Sequence, residues 1–179
     1  PGYNDQLPEF FTTEYRAQMH AFNTQGLGKA KAIGAEGLSG QALLSYDIFV
    51  KQMQDDLDGE QFRDDLQPID QFSNIAALVV QLGAGTGAQP FKTVKDYDDN
   101  LSRLEGYIVL LDRSVDRMKQ GLADGVTNPK LVMQNVVGQF DNLVPAKVED
   151  SVFYKPVLKF PAGFSDADQA RLTAAYTAF

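Results

Sequence analysis

The chain has 179 residues, of which 44% are hydrophobic, 15 are glycine and 8 are proline, a composition typical of one globular domain that can bury a core. There are 16 Lys and Arg against 24 Asp and Glu, and no short segment combines basic with aromatic residues, so nucleic acid is excluded as an expected partner. The absence of cysteine excludes disulfides and thiolate chemistry, and no segment approaches the roughly 20 apolar residues of a membrane span.

The first part of the chain predicts two helices and a loop. The first helix takes Thr13 as its N-cap and continues past the glycines at 26 and 28. Its apolar positions are Tyr15, Met19, Phe22 and Ile33. The second helix lies between Ser39 as cap and Gly59 as stop, and its apolar positions are Leu43, Tyr46, Val50, Met53 and Leu57. Residues 60–75 lack a sustained period and predict a loop that packs through Phe62, Leu66, Ile69 and Phe72.

The strongest periodicity follows a short helix predicted over Asn74–Leu82. Apolar residues alternate steps of three and four, which places them on one side of a long helix over about 93–124. They are Val94, Tyr97, Leu101, Leu104, Ile108, Leu111, Val115, Met118 and Leu122. Thr93 and Asp96 predict a capping box, and Gly125 predicts the end of the helix. Asp99 and Arg103 have the spacing of an i,i+4 ion pair.

Shorter helices complete the pattern. Asn128 as N-cap and Pro129 as first position predict a helix that ends before Pro145, with Val132, Val136, Phe140 and Leu143 as its apolar residues. Residues 145–163 are predicted to be irregular. The chain therefore predicts an all-α fold, an irregular helical bundle with one long helix (about 93–124) and shorter packed helices, in a single helical domain over residues 1–179.

The two ends of the chain lack the usual signals. It opens at Pro1 without Met, and a capping box of Ser165 and Asp168 begins a helical pattern that continues to Phe179 without a glycine or proline stop. We therefore expect an excerpt of a longer protein.

Residues 83–88 come closest to a nucleotide-binding motif. Gly83, Gly85 and Ala88 match G-x-G-x-x-[GA] after the apolar run IAALVV. The motif requires a helix that begins within the glycine loop, whereas Pro90 forces Gln89 toward extended geometry and would lie in the first turns of that helix. The pattern favours a connection between two helices over a phosphate site.

The acidic run near Gly59 has the spacing of a calcium loop. With Gly59 at the sharp turn of a twelve-residue loop, Asp56, Asp58 and Asp65 occupy ligand positions. The first ligand would be Gln54, and Asp65 stands where a bidentate glutamate is usual. A solvated acidic helix end is favoured over a calcium site.

Side chains for catalysis are few. His20 is the only histidine, so neither a catalytic triad nor a histidine-rich zinc site assembles from this chain, and His20 is expected on a helix surface or in packing. In SVFYKPV, Tyr154 and Lys155 are conceivable ligand contacts, although Phe153 and Tyr154 before a proline are more typical of loop anchors. No catalytic, metal or cofactor-binding residue is assigned, and ligand-binding residues are unknown.

Five segments resemble, in order and spacing, the bacterial family called domain of unknown function 885. They are LSGQALLSYDIF, LQPIDQFS, QPFKTVKDYDDNLSRL, GLADGVTNPKLVMQNV and SVFYKPV. The resemblance extends from about Asn4 to the C-terminus. It implies a long, mostly helical protein that is exported, periplasmic or a lipoprotein. It also implies a likeness to zinc-dependent peptidases, because members carry His-Glu and Pro-Gly-His segments in their C-terminal half.

Those two segments are absent here, so no catalytic or metal residue is carried over to this chain. The resemblance implies the non-catalytic N-terminal helical part of such a protein, with the remainder of its own polypeptide as partner. Zinc would lie in the missing half and activate a water for attack on an amide, which makes the parent a candidate metallopeptidase. The alternative is an autonomous binding or scaffold module without enzymatic activity. The oligomeric state is not indicated.

Overall fold

The computed structural model describes residues 2–83, 87, 89–141 and 143–179. Over these residues the chain has six α-helices and no strand, which confirms the all-α prediction. The helices are α1 (Thr13–Ile33), α2 (Gly40–Gly59), α3 (Ile75–Gly83), α4 (Val94–Asp124), α5 (Lys130–Asp141) and α6 (Asp166–Ala178). Short 3-10 segments lie at Asp64–Leu66, Val148–Asp150 and Lys155–Leu158. Backbone contacts divide the chain into two compact units, Glu9–Asp65 and Leu66–Phe179 with the residues up to Pro8.

The helix α1 begins one residue earlier than predicted. Thr12 rather than Thr13 is its N-cap, because the Thr12 hydroxyl accepts a hydrogen bond from the backbone N–H of Tyr15 at 3.1 Å. Its buried side chains are Asn23, Leu27 and Ala30, spaced at i, i+4 and i+7. The predicted apolar positions Met19, Phe22 and Ile33 are exposed, so that part of the prediction is wrong. Asn23 is thus a polar residue at a buried position, which a pattern of apolar residues does not predict.

The helices α1 and α2 form a hairpin within the unit Glu9–Asp65. Its connection places Gly34 and Gly37 at φ of 75° and 78°, backbone values that side chains with a Cβ rarely adopt. A Cβ at Gly26 of α1 would lie 3.3 Å from the Met53 sulfur of α2, so this glycine allows the two helices to approach closely. The apolar side predicted for α2 is confirmed as its covered side, with Met53 buried and the other four positions partly covered.

The segment that follows α2 packs through only two of the four predicted residues. Leu66 and Ile69 are buried, but Phe62 and Phe72 are 65% and 86% exposed. Phe72 lies in a turn where the Asp70 carboxylate accepts the backbone N–H groups of Phe72 and Ser73 at 2.6 and 2.7 Å. The N–H groups of Ser73 and Phe72 also lower the pKa of Asp70.

The long helix α4 has the predicted ends. Thr93 and Asp96 form a reciprocal capping box, and Gly125 ends the helix in the left-handed conformation with φ of 75°. Leu104, with 0% of its surface exposed, belongs to the predicted apolar seam. In the second half, however, the covered side has turned by roughly 60° around the helix. Buried there are Leu110, Ser114 and Gly121, whereas Ile108, Val115 and Leu122 are exposed.

The helix α5 differs from prediction at its start, whereas α6 begins at the predicted cap. Asn128 does not cap α5, because the helix begins at Lys130. The Asn128 side-chain N–H instead donates to the backbone oxygen of Ile69 at 2.9 Å. Leu143 lies beyond the end of α5 at Asp141. Ser165 caps α6, since its hydroxyl accepts from the backbone N–H of Asp168 at 3.1 Å. Across the described ranges, none of the helices has an apolar stretch long enough to cross a bilayer.

Candidate functional site

An aromatic cluster surrounds Tyr97 in the first half of α4. The Tyr97 ring centroid lies 5.1 Å from that of Phe91, and 5.4 Å from those of both Phe160 and Phe164. The Tyr97 hydroxyl donates a hydrogen bond to the backbone oxygen of Pro156 at 3.2 Å. Aromatic contacts of this kind add to the burial of apolar area, so the cluster holds residues 156–164 against α4.

A buried polar network lies beside this cluster. The Tyr176 hydroxyl accepts from Asn100 Nδ2 at 3.0 Å and donates to the backbone oxygen of Tyr97 at 3.2 Å. Asn100 is 1% exposed, and its Oδ1 has no partner within the described part of the chain. Burial raises the pKa of Tyr176 above its ordinary value, which keeps its hydroxyl protonated as a donor.

Arg103 continues the network on the next turn of α4. Its guanidinium donates to Gln89 Oε1 at 2.5 Å and to the backbone oxygen of Tyr3 at 3.3 Å. Burial lowers the pKa of Arg103. The predicted Asp99–Arg103 pair is wrong, because Asp99 accepts the Lys95 ammonium at 2.5 Å instead. A buried guanidinium that donates to neutral acceptors fixes the positions of Gln89 and of the backbone at Tyr3.

The segment with Tyr154 and Lys155 lies at an apolar cleft of about 290 Å³. The Phe153 ring centroid is 6.2 Å from that of Tyr107 and 6.0 Å from that of Phe179, so Phe153 anchors the segment as the loop interpretation predicts. Tyr154 lines the cleft, whereas Lys155 is exposed. The cleft suits an apolar group with one hydrogen bond, and its described lining residues include no paired acid and base for catalysis.

The calcium pattern does not assemble into a site. Gln52 and Gln54 donate to Asp56 and Asp58 at 2.8 and 3.0 Å along α2. Asp65 pairs with Arg16 at 2.9 Å. In the ranges that the structure describes, no group of three His, Cys, Asp or Glu side chains is placed to hold a metal ion.

His20 has a partner far away in sequence. Its Nδ1 lies 2.7 Å from Glu60 Oε2, and the two residues are 40 positions apart. The His20 side chain is 58% exposed, which agrees with a position on the helix surface. The pair lines a groove that contains Asn23 and Asp56 as well.

The glycine motif is only partly covered by the described residues. Gly83 is the last residue of α3, while Gly85 and Ala88 of the motif lie outside the described residues. The next helix begins at Val94 after Pro90, so the helix start that a phosphate loop requires does not follow directly.

The second half of α4 exposes three aliphatic side chains at seven-residue spacing. Ile108, Val115 and Leu122 are 48%, 42% and 74% exposed, and together they are called the outer seam here. At about 1.5 Å per residue the outer seam extends over roughly 21 Å. Apolar side chains at this spacing present the surface that a partner helix packs against.

Comparison with known protein families finds a match. The family model described as "Bacterial protein of unknown function (DUF885)" matches residues 1–179. No curated protein and no solved structure matches the chain. Because the family model matches the whole length, the chain belongs to the family of bacterial proteins of unknown function DUF885.

Proposed function

We propose that this chain is a non-catalytic helical part of a longer bacterial protein, and that its outer seam packs against another part of the same polypeptide. The outer seam carries the proposal, since Ile108, Val115 and Leu122 stay exposed on a helix that buries residues on another side. Soluble monomers rarely leave contiguous apolar patches exposed unless something covers them. The family resemblance supports a long polypeptide as the source of that cover, and it also supports export of the parent protein.

The described side chains do not fit the zinc chemistry that the resemblance suggests for the family. The single histidine, His20, is hydrogen-bonded to Glu60, and no described group of three ligands surrounds it. No step through zinc is therefore assigned to this chain. In this proposal, any peptide hydrolysis by the parent protein depends on residues outside this chain.

Cysteine labelling tests the proposed contact, because the chain has no cysteine of its own. Val115→Cys places a thiol on the outer seam, and Asp116→Cys places one on the neighbouring exposed position as a matched control. Maleimide labelling of each variant is followed by peptide mass spectrometry, once in this chain alone and once in the full-length product of the parent gene. We expect the Val115→Cys thiol to react at least about tenfold more slowly in the full-length protein, since a covered thiol is reached only after local opening.

The Asp116→Cys thiol should react at similar rates in both proteins. Equal rates for Val115→Cys in the two proteins would mean that nothing covers the outer seam, and the proposal would be wrong. A parent gene that encodes no further polypeptide would also overturn it.

A further inference from the structure

The outer seam has two unlike flanks on α4. Each seam residue is preceded by one residue at i−4 and one at i−3, and these lie on opposite sides of the seam. The i−4 row is buried or partly buried and consists of Leu104, Leu111 and Met118. The i−3 row is exposed and consists of Glu105, Asp112 and Lys119. Charged side chains therefore border the outer seam on its exposed flank.

The unpaired charge of the i−3 row is negative. The Lys119 ammonium lies 3.1 Å from the Asp116 carboxylate, which neutralises it. Glu105 and Asp112 form no ion pair with a Lys, Arg or His of the described residues. The helix α4 ends just beyond the seam, and the C-terminal end of a helix carries a partial negative charge as well. A segment that covers the outer seam therefore meets a negative potential on this flank.

The opposite flank is apolar at the C-terminal end of the seam. A cavity of about 200 Å³ opens there, and it is lined by Leu122 together with Met118 of the i−4 row and Met133 of α5. Among the described residues, its lining contains no Asp, Glu, Lys or Arg. The two flanks thus favour different side chains in a covering segment, apolar ones on this flank and cationic ones on the other.

Covering the outer seam also removes water from Glu105 and Asp112. Side chains beside the apolar seam of two packed helices lie at the rim of the contact, where they meet charged side chains of the partner. A carboxylate that loses water without gaining a cation costs free energy, whereas a pair with Lys or Arg offsets that cost. A second copy of this chain is a poor source of cations, because its formal net charge is -8.

We propose that the segment covering the outer seam is an amphipathic helix of the parent polypeptide that carries Lys or Arg opposite Glu105 and Asp112. This proposal rests on the proposed packing function and adds the chemistry of the partner. The apolar stripe of that helix meets Ile108, Val115 and Leu122, whose seven-residue spacing is the repeat of two packed helices. Its basic side chains follow one side of the stripe, since only one flank of the outer seam carries unpaired carboxylates.

Charge reversal in the full-length product of the parent gene tests the proposal. Asp112→Lys is combined with Val115→Cys, and maleimide labelling is followed by peptide mass spectrometry. Because a new lysine changes the reactivity of a nearby thiol, each rate is divided by the rate of the same variant in this chain alone. We expect Asp112→Lys to raise this ratio at least about threefold, since it places like charges together at the rim of the contact. Asp112→Asn should raise the ratio less.

Asp124→Lys, also combined with Val115→Cys, is the matched control. Asp124 is exposed on the same helix and lies nine residues beyond Val115, which places it on the opposite side of α4. The change in charge is the same as in Asp112→Lys, so the ratio should equal that of Val115→Cys alone. Both reversals should leave this chain folded, because both positions are exposed.

An unchanged ratio in Asp112→Lys would overturn the proposal, and so would an equal rise in Asp124→Lys. If Val115→Cys labels slowly in the full-length protein but does not respond to Asp112→Lys, the packing function stands and a basic partner is excluded. Equal labelling of Val115→Cys in the two proteins would remove the packing function and this proposal together. Sedimentation that showed a dimer of this chain alone, with Val115→Cys protected in it, would assign the outer seam to a second copy and overturn the proposal.

Discussion

The Tyr176 hydroxyl holds the side chain of Asn100 at 3.0 Å in the core of the larger unit. Tyr176 belongs to α6 and Asn100 to α4, and the two residues are 76 positions apart in the sequence. Both are almost fully buried. Since a buried polar atom that loses its partner costs more than an exposed one, this contact fixes how α6 docks on α4.

Replacing Tyr176 by phenylalanine tests that contact. Tyr176→Phe keeps the ring but leaves Asn100 Nδ2 and the Tyr97 backbone oxygen without this partner. We expect the free energy of unfolding to fall by about 1–3 kcal/mol in urea titrations. Tyr154→Phe is the control, because the Tyr154 hydroxyl has no hydrogen bond to a described residue. Equal effects of the two variants would show that the Asn100 contact contributes nothing.

The burial of Tyr107 makes the stability of the chain depend on pH in the alkaline range. Burial raises the pKa of Tyr107 to about 12. In an unfolded chain a tyrosine titrates near pH 10, so above that pH the unfolded state loses a proton that the folded state retains. The contribution of Tyr107 to the free energy of unfolding is fully present below about pH 10. It then falls by about 1.4 kcal/mol per pH unit up to about pH 12. Urea titrations at a series of alkaline pH values should show this slope.

The variant Tyr107→Phe isolates the effect. It should have nearly the stability of the parent chain at neutral pH, since the Tyr107 hydroxyl has no hydrogen bond to a described residue. Above about pH 10 its slope should be less steep by about 1.4 kcal/mol per pH unit. A variant with the parent slope would place the alkaline sensitivity elsewhere.

We predict that a side chain at position 121 of α4 creates a packing defect. A Cβ there would lie 2.5 Å from the backbone oxygen of Val126 and 2.9 Å from that of Leu66. Backbone atoms cannot turn away as a side chain can, so Gly121→Ala should lower the free energy of unfolding by about 1–3 kcal/mol despite its better helix propensity. A Cβ at Gly106 in the same helix would meet nothing within 4 Å, so Gly106→Ala should raise stability by up to about 1 kcal/mol. Thermal or urea unfolding that gave both variants the same sign would contradict this prediction.

We predict that the chain does not need the outer seam for its own folding. Changing Ile108, Val115 and Leu122 together to glutamine should lower the free energy of unfolding by less than about 1.5 kcal/mol, because all three are already exposed. The variant should also bind less of a dye that recognises apolar surface. Leu104→Gln, at a position that is 0% exposed, should lose about 3–5 kcal/mol. A triple variant as unstable as Leu104→Gln would mean that the seam belongs to the core.

Local signals in the sequence were reliable at helix ends and less so for burial. The capping box of Thr93 and Asp96 and the stop at Gly125 depend on atoms within a few residues, and both are present as predicted. Phe22 and Phe72 are exposed although they are large and apolar. Hydrophobicity indicates which residues favour burial, but it does not say which ones another element covers.

The buried polar residues were the main omission. Asn100 and Arg103 lie three positions apart within the long helix. A pattern that scores only apolar residues passes over Asn100, and Arg103 was predicted only as an ion-pair partner of Asp99. A polar side chain beside a strong apolar seam is the signal that could have found them. The sequence could not identify their partners, because Gln89 and Tyr176 come from other segments.

The sequence by itself determined that the chain is helical, where α4 begins and ends, and which family it resembles, because each depends on short-range spacing or on segment order. Tertiary structure alone decided which side of α4 is covered beyond Leu104, since the backbone at Leu66 passes over Gly121 and leaves Ile108, Val115 and Leu122 exposed. It alone also brought His20 to Glu60 and left Asn23 in the groove. These relationships join residues that are distant in sequence, and only the packing of whole helices determines them.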